Sequence, residues 1–329
     1  MQNVSRFVFA FCILHFAFAC SPRKPNHPNV LLITLDTFRA DRIGAATPNL
    51  LRLAQKGTWY RQADTATPLT LPSHATILSG LLPLHHGLRN NGIGSFPDRE
   101  TLATLFSKAG YRTGAFVSAF VLDHRFGLGR GFETYDDGVP RDPTGEAPTF
   151  EAERRGAETV DRAIEWMRGQ GDRRWFAWVH LPPPFPQTYD GEIAYVDAQV
   201  GRLLSAIDKR KTIVIVVGDH GESLGEHGEL THGLLLYEST LHVPLIIAGP
   251  DIKPSEVQQP VSTVEVAPKI AGLVGLSMPR SEGKTIYAES EYAKTFGWSG
   301  LTSIRSGDIK LIRGVKSEMF DVRSDPGEL

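Results

Sequence analysis

The stretch DHGESLGEHG at 219–228 concentrates groups that do chemistry: two histidines, one aspartate and two glutamates among three glycines. It follows directly on the apolar run TIVIVV at 212–217 and Gly218. Hard divalent cations prefer carboxylate oxygens, and imidazole suits Zn, Mn or Fe. Asp219 and His220 are therefore a candidate metal pair. Asp36 ends a second apolar run, VLLITL at 30–35, and His180 ends a third, WFAWV at 175–179. An aspartate after a strand also serves as a helix cap, so each of these residues alone carries little. The density of donors at 219–228 is more than a structural loop needs.

These donors need elements to position them. Short, continuous, partly β-branched apolar runs read as parallel strands buried on both faces. Besides the three above, 243–247 and, more weakly, 113–117 have this pattern. Helical patterns lie at 47–56, 73–81, 101–109, 151–169 and 193–209. Strands alternating with helices predict an α/β fold, a mostly parallel sheet covered on both faces. Sites in such sheets lie beyond the carboxyl ends of the strands, where Asp36, His180, Asp219 and His220 fall. After Pro279 the pattern changes to short runs at 285–289, 301–305, 309–312 and 318–322, which predict a small antiparallel subdomain.

The 329 residues are 41% hydrophobic and 22% charged, which excludes a disordered, collagen-like or coiled-coil chain. Lys and Arg total 35 against 37 Asp and Glu, giving a net charge of −2. No nucleic acid is expected as a specific partner, because phosphate binding needs a basic surplus. Both cysteines, Cys12 and Cys20, lie near the N-terminus. The run FVFAFCILHFAFA at 7–19 is too short to span a bilayer and has the length of a signal-peptide apolar region. Ala17-Phe18-Ala19-Cys20 resembles a bacterial lipobox with Cys20 acylated; the alternative is an ordinary signal peptide cut near Ala19. The expected organisation is a signal peptide at 1–19, a polar, Pro-rich tether at 20–28, a catalytic domain at 29–284 and the subdomain at 285–329. The protein is then exported and anchored by lipid in a bacterial envelope, at the outer membrane or in the periplasm.

Longer segments resemble the sulfatases of the alkaline phosphatase superfamily. PNVLLITLDTFRADRIGAATPNLLRLAQKG at 28–57 is similar to their N-terminal signature, and ATPLTLPSHATILSGLLPLHHGLRNNG at 66–92 to the segment holding their nucleophile. YDGEIAYVDAQVGRLL at 189–204 resembles the helix crossing that fold, and 213–250 the second metal segment. SIRSGDIKLIRG and MFDVRSDPGEL resemble the C-terminal subdomain and its tail. The resemblance implies an alkaline phosphatase-like three-layer α/β/α fold. It also implies one divalent cation, Ca, Mn or Zn, on Asp36, Asp219, His220 and Thr70. The chain is short for the family, which reads as a shortened member.

Departures from the family pattern bear on the chemistry. The family nucleophile opens a C-x-P-S-R or S-x-P-x-R motif and becomes formylglycine. Here the motif reads Thr70-Leu71-Pro72-Ser73-His74, so no formylglycine is expected, and Thr70 resembles the nucleophile of related phosphodiesterases. His74 stands in place of the motif arginine. His232 falls where many sulfatases have a lysine on the ester oxygens, which implies a general acid. The Asn90-Asn91 pair and His227 are further candidate substrate contacts, while His85-His86 either cap or pack within the loop after Pro83 or join the chemistry. The Lys and His of a G-K-W-H segment are absent at 117–120, and Pro183-Pro184-Phe185 replaces D-P-H. The expected function is metal-dependent hydrolysis of sulfate or phosphate esters. The alternative is a catalytically silent lipoprotein that binds anionic glycans or a protein partner.

Overall fold

The computed structural model describes residues 27–139, 152–182, 188–279 and 285–329. The signal peptide, Cys20, most of the tether and Pro183-Pro184-Phe185 lie outside the described residues. β1 (Asn29–Leu35) sits inside a nine-stranded sheet with β2 (Thr58–Asp64), β3 (Arg112–Phe116), β4 (Thr134–Asp136), β5 (Trp175–Leu181), β6 (Thr212–Gly218), β7 (His242–Ala248), β8 (Ser255–Val257) and β9 (Val261–Ser262). The order is β4-β3-β5-β1-β6-β7-β2-β8, with β9 also on β2. All neighbours pair in parallel except β7, which runs antiparallel to both β6 and β2. The sheet is mostly parallel, as the apolar runs predict.

Side chains of β1 alternate between two cores. Val30 and Leu32 face one with α2 (Thr70–Ser79), α4 (Leu102–Lys108) and α8 (Val266–Leu273). Leu31, Ile33 and Leu35 face another with α1 (Pro48–Lys56), α5 (Gly156–Gly169) and α6 (Tyr189–Ala206). Apolar surface on both faces is what the unbroken run VLLITL requires, and the result is a three-layer α/β/α sandwich. Single-turn helices α3 (Pro83–His86) and α7 (Glu238–Leu241) lie in the connections. The segment matching the fold-crossing helix has a specific task. The Asp197 carboxylate of α6 accepts the Asn49 and Leu50 N–H groups, at 3.1 and 2.8 Å, and so caps α1 across the fold.

A separate antiparallel sheet follows, β10 (Ile286–Ser290), β11 (Leu301–Ser306), β12 (Ile309–Arg313) and β13 (Ser317–Asp321), paired in that order. Buried ion pairs join it to the large sheet. Arg305 meets Asp64 at 2.9 Å, and Lys310 lies between Glu238 (2.9 Å) and Glu328 of the tail (2.8 Å).

Some boundaries differ from the sequence pattern. α2 begins at Thr70, three residues before the apolar periodicity. Pro72 fits there because the first-turn N–H groups have no intrahelical partner. α5 begins at Gly156 rather than 151. β2 escapes an apolar-run search because TWYRQAD is half-exposed along most of its length.

Candidate metal and nucleophile site

Three strand ends build the site. The register pairs Leu35 with Leu181 of β5 on one side and with Gly218 of β6 on the other. Asp36 N–H then donates to Leu181 O at 3.0 Å, and Asp219 N–H to Leu35 O at 3.2 Å. Chain segments far apart in sequence thus place their donors side by side. One ligand atom each from Asp36, Asp219 and His220 lies within 4.8 Å of the others.

Fixed donors and acceptors decide where the protons are. Gly221 O can only accept, so His220 donates to it from Nδ1, at 2.9 Å. His220 Nε2 is left as an unprotonated acceptor, 3.4 Å from Asp36 Oδ1 and 3.5 Å from Asp219 Oδ2. Ser118 N–H can only donate, at 3.3 Å to His180 Nδ1, so His180 carries its proton on Nε2 and donates to Asp36 Oδ2 at 3.2 Å. Asp219 Oδ1 accepts the His220 N–H at 2.7 Å, while Oδ2 is buried with no hydrogen-bond partner among the described residues. Burial and the neighbouring Asp36 push Asp219 well above the usual carboxylate range. Burial would raise Asp36 too, but chiefly the His180 hydrogen bond holds it low. Burial pushes His220 down to about 3. Two carboxyl groups and an imidazole lone pair converge with too few hydrogen-bond donors to satisfy them, which fits a divalent cation that would displace the proton burial drives onto Asp219.

The backbone beside Asp36 is adapted to the same end. Thr37 is β-branched yet has φ 53°, in the left-handed region. Tyr189 O–H, at the start of α6, donates to the Thr37 carbonyl at 2.7 Å and fixes this turn.

Thr70 is the first residue of α2, and its Oγ1 lies 3.2 Å from His220 Nε2. The Asn91 side chain accepts the next N–H of that turn, from Leu71, at 2.9 Å. His232 is the partly open member, its side chain 24% exposed and its ring centroid 4.3 Å from that of His220. Its Nδ1 donates to Glu222 Oε2 at 3.2 Å. Burial alone would lower the His232 pKa, but Glu222 outweighs it and raises it.

Four other candidates have partners of their own. His74 is fully buried beneath α2, where Nδ1 donates to Thr70 O at 2.7 Å and Nε2 accepts from Thr34 Oγ1 at 2.9 Å. Burial and His180 push it down to about 3, so it braces the Thr70 turn as a neutral ring instead of replacing the motif arginine beside a substrate. His227 stacks on Tyr237 with centroids 3.5 Å apart and reaches Gly327 O, so it clasps the C-terminal tail. The Asn90 side chain binds Thr295 Oγ1. His86 is buried against Thr76, a packing role, as one of its two readings has it. Asn91 belongs to the Asn90-Asn91 pair already singled out, and the strand end had marked His180. Glu222 and Thr37 lie outside the sequence-derived set, and of these only Glu222 had a signal, its place within the donor-rich run.

A mostly parallel three-layer fold with an Asp and an Asp-His pair at its strand ends, and a Thr hydroxyl beside them at the start of α2, is the architecture of the alkaline phosphatase superfamily, in which a family model places the chain. The family model described as Sulfatase matches residues 28–276, and the chain belongs to this family of hydrolases acting on sulfate ester bonds. It is 22% identical to arylsulfatase K of Gallus gallus, over 95% of this chain and 81% of that protein; the mouse counterpart is matched over 62% of its length. It is 24% identical to a Delta 4,5-hexuronate-2-O-sulfatase of Bacteroides thetaiotaomicron, over 92% of this chain and 83% of that one. In fold it resembles the phosphonate monoester hydrolase of Agrobacterium radiobacter, with TM-score 0.72, 20% identity and 92% and 90% of the two chains covered.

Proposed function

We propose that the chain hydrolyses sulfate esters or phosphodiesters with Thr70 as nucleophile and one divalent cation held by Asp36, Asp219, His220 and Thr70. The observation that carries this reading is the unprotonated His220 Nε2 facing both carboxylates beside the Thr70 hydroxyl. A cation there supplies the positive charge that lowers the hydroxyl pKa and offsets charge on the ester oxygens. The helix turn braced by His74 and Asn91 holds Thr70 in place. Its Oγ forms a bond to sulfur or phosphorus while its proton passes to solvent. The ester oxygen departs and takes a proton from His232 Nε2, the nitrogen that Glu222 leaves free. Water then attacks the esterified Thr70, neutral His232 accepts the water proton, and the Thr70 oxygen leaves and is reprotonated from solvent. A threonine ester cannot collapse to an aldehyde as formylglycine hydrate does, so this second step depends on water reaching the site.

Nitrophenyl sulfate, a nitrophenyl phosphodiester and a nitrophenyl phosphate monoester, each assayed with Mn, Zn or Ca, test the reading. Turnover of the sulfate or the diester is expected, with less on the monoester, whose roughly doubled charge asks for more cationic groups. No turnover of any ester under any metal supports the silent, glycan- or partner-binding alternative.

Metal binding has its own readout. A cation at a hundredfold excess over its Kd should stabilise the wild type by about 2.7 kcal/mol, seen as a rise in Tm. Asp219→Asn should abolish that rise. Without metal the variant should be at least as stable as the wild type, because a buried carboxylate pressed against Asp36 is gone. An unchanged metal-induced rise in the variant removes Asp219 from the site.

For location, we propose that Cys20 is acylated and holds the fold at a membrane through residues 21–28, on the lipobox-like 17–20 segment.

A further inference from the structure

The amino ends of the parallel strands form the face opposite the site, and that face is basic. Arg173 and Arg174 lead into β5, and Lys209, Arg210 and Lys211 lead into β6, the two neighbours of β1. Lys56 precedes β2, and Lys253 follows β7, which runs the other way and so ends on this face. All seven are exposed. The acidic residues among them are Asp172, Asp208 and Asp251, with Glu256 at the start of β8 and Glu133 before β4, the latter paired with Arg112 at 2.8 Å, so the face stays positive although the chain as a whole is −2. Between these groups lies an open cleft of about 750 Å³ lined by Arg173, Arg174, Arg210 and Lys211, together with His27 and Pro28. The pairings present leave the charge in place. Arg210 meets Asp208 at 3.2 Å, Arg173 caps the α5 carbonyls of Gly169 and Gln170, and Arg174 lies 4.9 Å over the Tyr111 ring.

We propose that this face docks on an anionic phospholipid bilayer, holding the metal and nucleophile site toward the aqueous side. Two further observations favour a bilayer over other anions. The chain enters the fold at Asn29 within this same cleft, and residues 20–28, with Arg23 and Lys24 among them, reach at most about 30 Å from Cys20. The seven residues of β1 separate the face from Asp36 by roughly 23 Å, so docking leaves the site open. Orientation rests on the Cys20 anchor proposed above; attraction does not, since each basic group near an anionic surface multiplies partitioning roughly fivefold.

The full chain, mixed with vesicles of phosphatidylcholine alone or with about one third phosphatidylglycerol, tests this by flotation and amine footprinting. Lys209, Lys211 and Lys253 should be protected several-fold on the anionic vesicles only, with Lys294 labelled throughout. Protection should vanish in about 1 M salt, where the Debye length falls to about 3 Å. Arg174→Gln combined with Arg210→Gln should weaken the charge-driven partitioning at least about tenfold, so that the protection is largely lost, and leave ester turnover unchanged. Equal labelling on both vesicle types overturns the proposal, and so does protection by a sulfated polysaccharide but not by anionic vesicles. A chain that does not float with neutral vesicles, yet shows the anionic protection, refutes the anchor and supports the face.

Discussion

Replacing Thr70 by alanine should lower kcat/KM for a nitrophenyl sulfate or diester by about 10³- to 10⁶-fold, the range seen when a covalent nucleophile is removed. The hydroxyl lies at the first turn of α2, nearly buried, with its Oγ1 at 3.2 Å from His220 Nε2. No other hydroxyl among the described residues is placed by the structure against that lone pair. Thr70→Ser, which keeps the oxygen, should retain activity within about tenfold. The Thr70→Ala chain should still gain Tm on adding metal, because three of the four donors remain. That readout separates loss of the nucleophile from collapse of the site. If Thr70→Ala turns over the esters as fast as the wild type, the activity belongs to other groups and the Thr70 assignment is wrong.

Lys310→Met should destabilise the fold by about 3–5 kcal/mol, a large part of the 5–15 kcal/mol typical of a folded chain. Lys310 is 2% exposed and lies between two carboxylates, Glu238 at 2.9 Å and Glu328 at 2.8 Å. Burial by itself would raise Glu238, but Lys310, His242 and Arg305 outweigh it and hold the carboxyl below its usual value. A carboxylate depressed in this way contributes stability that is present above its unfolded pKa and lost as the pH falls. Removing the ammonium leaves two buried negative charges facing each other. The deficit of Lys310→Met should therefore be largest at neutral pH and shrink as the pH falls toward about 4.5 and below, because burial, which already raises Glu328, drives protons onto both carboxyls once the ammonium is gone. Adding Glu238→Gln should recover part of the loss at neutral pH. Denaturant melts of the wild type and both variants at pH 7 and pH 4 check this, and a deficit that does not vary with pH counts against unpaired charge as the cause.

The comparison of sequence with structure divides along a physical line. Apolar runs made β1, β3, β5, β6 and β7 legible, because a strand buried on both faces has to be continuously apolar. The same runs marked their own ends, and so placed Asp36, His180, Asp219 and His220 on one edge. The alternation after Pro279 was enough to expose the four-stranded sheet. β2 was hidden, since a strand half-open to water needs no such run, and the reversed direction of β7 leaves no trace in its composition. Side-chain roles depended on three-dimensional neighbours still more. His74 and His232 are both histidines in motif-like surroundings. Only packing decides that His74 has both nitrogens occupied beneath α2, while His232 keeps one free beside His220. Asn90 and His227 fit a substrate contact by position, yet Thr295 and the C-terminal tail hold them, through pairings about 200 and 100 residues away in the chain. By itself the sequence determined the layered α/β sheet and the types of donor at its edge, because burial and metal chemistry act on residue type. The tertiary structure alone decided which lone pairs converge, because proton placement on each imidazole is set by backbone groups that the fold brings from elsewhere.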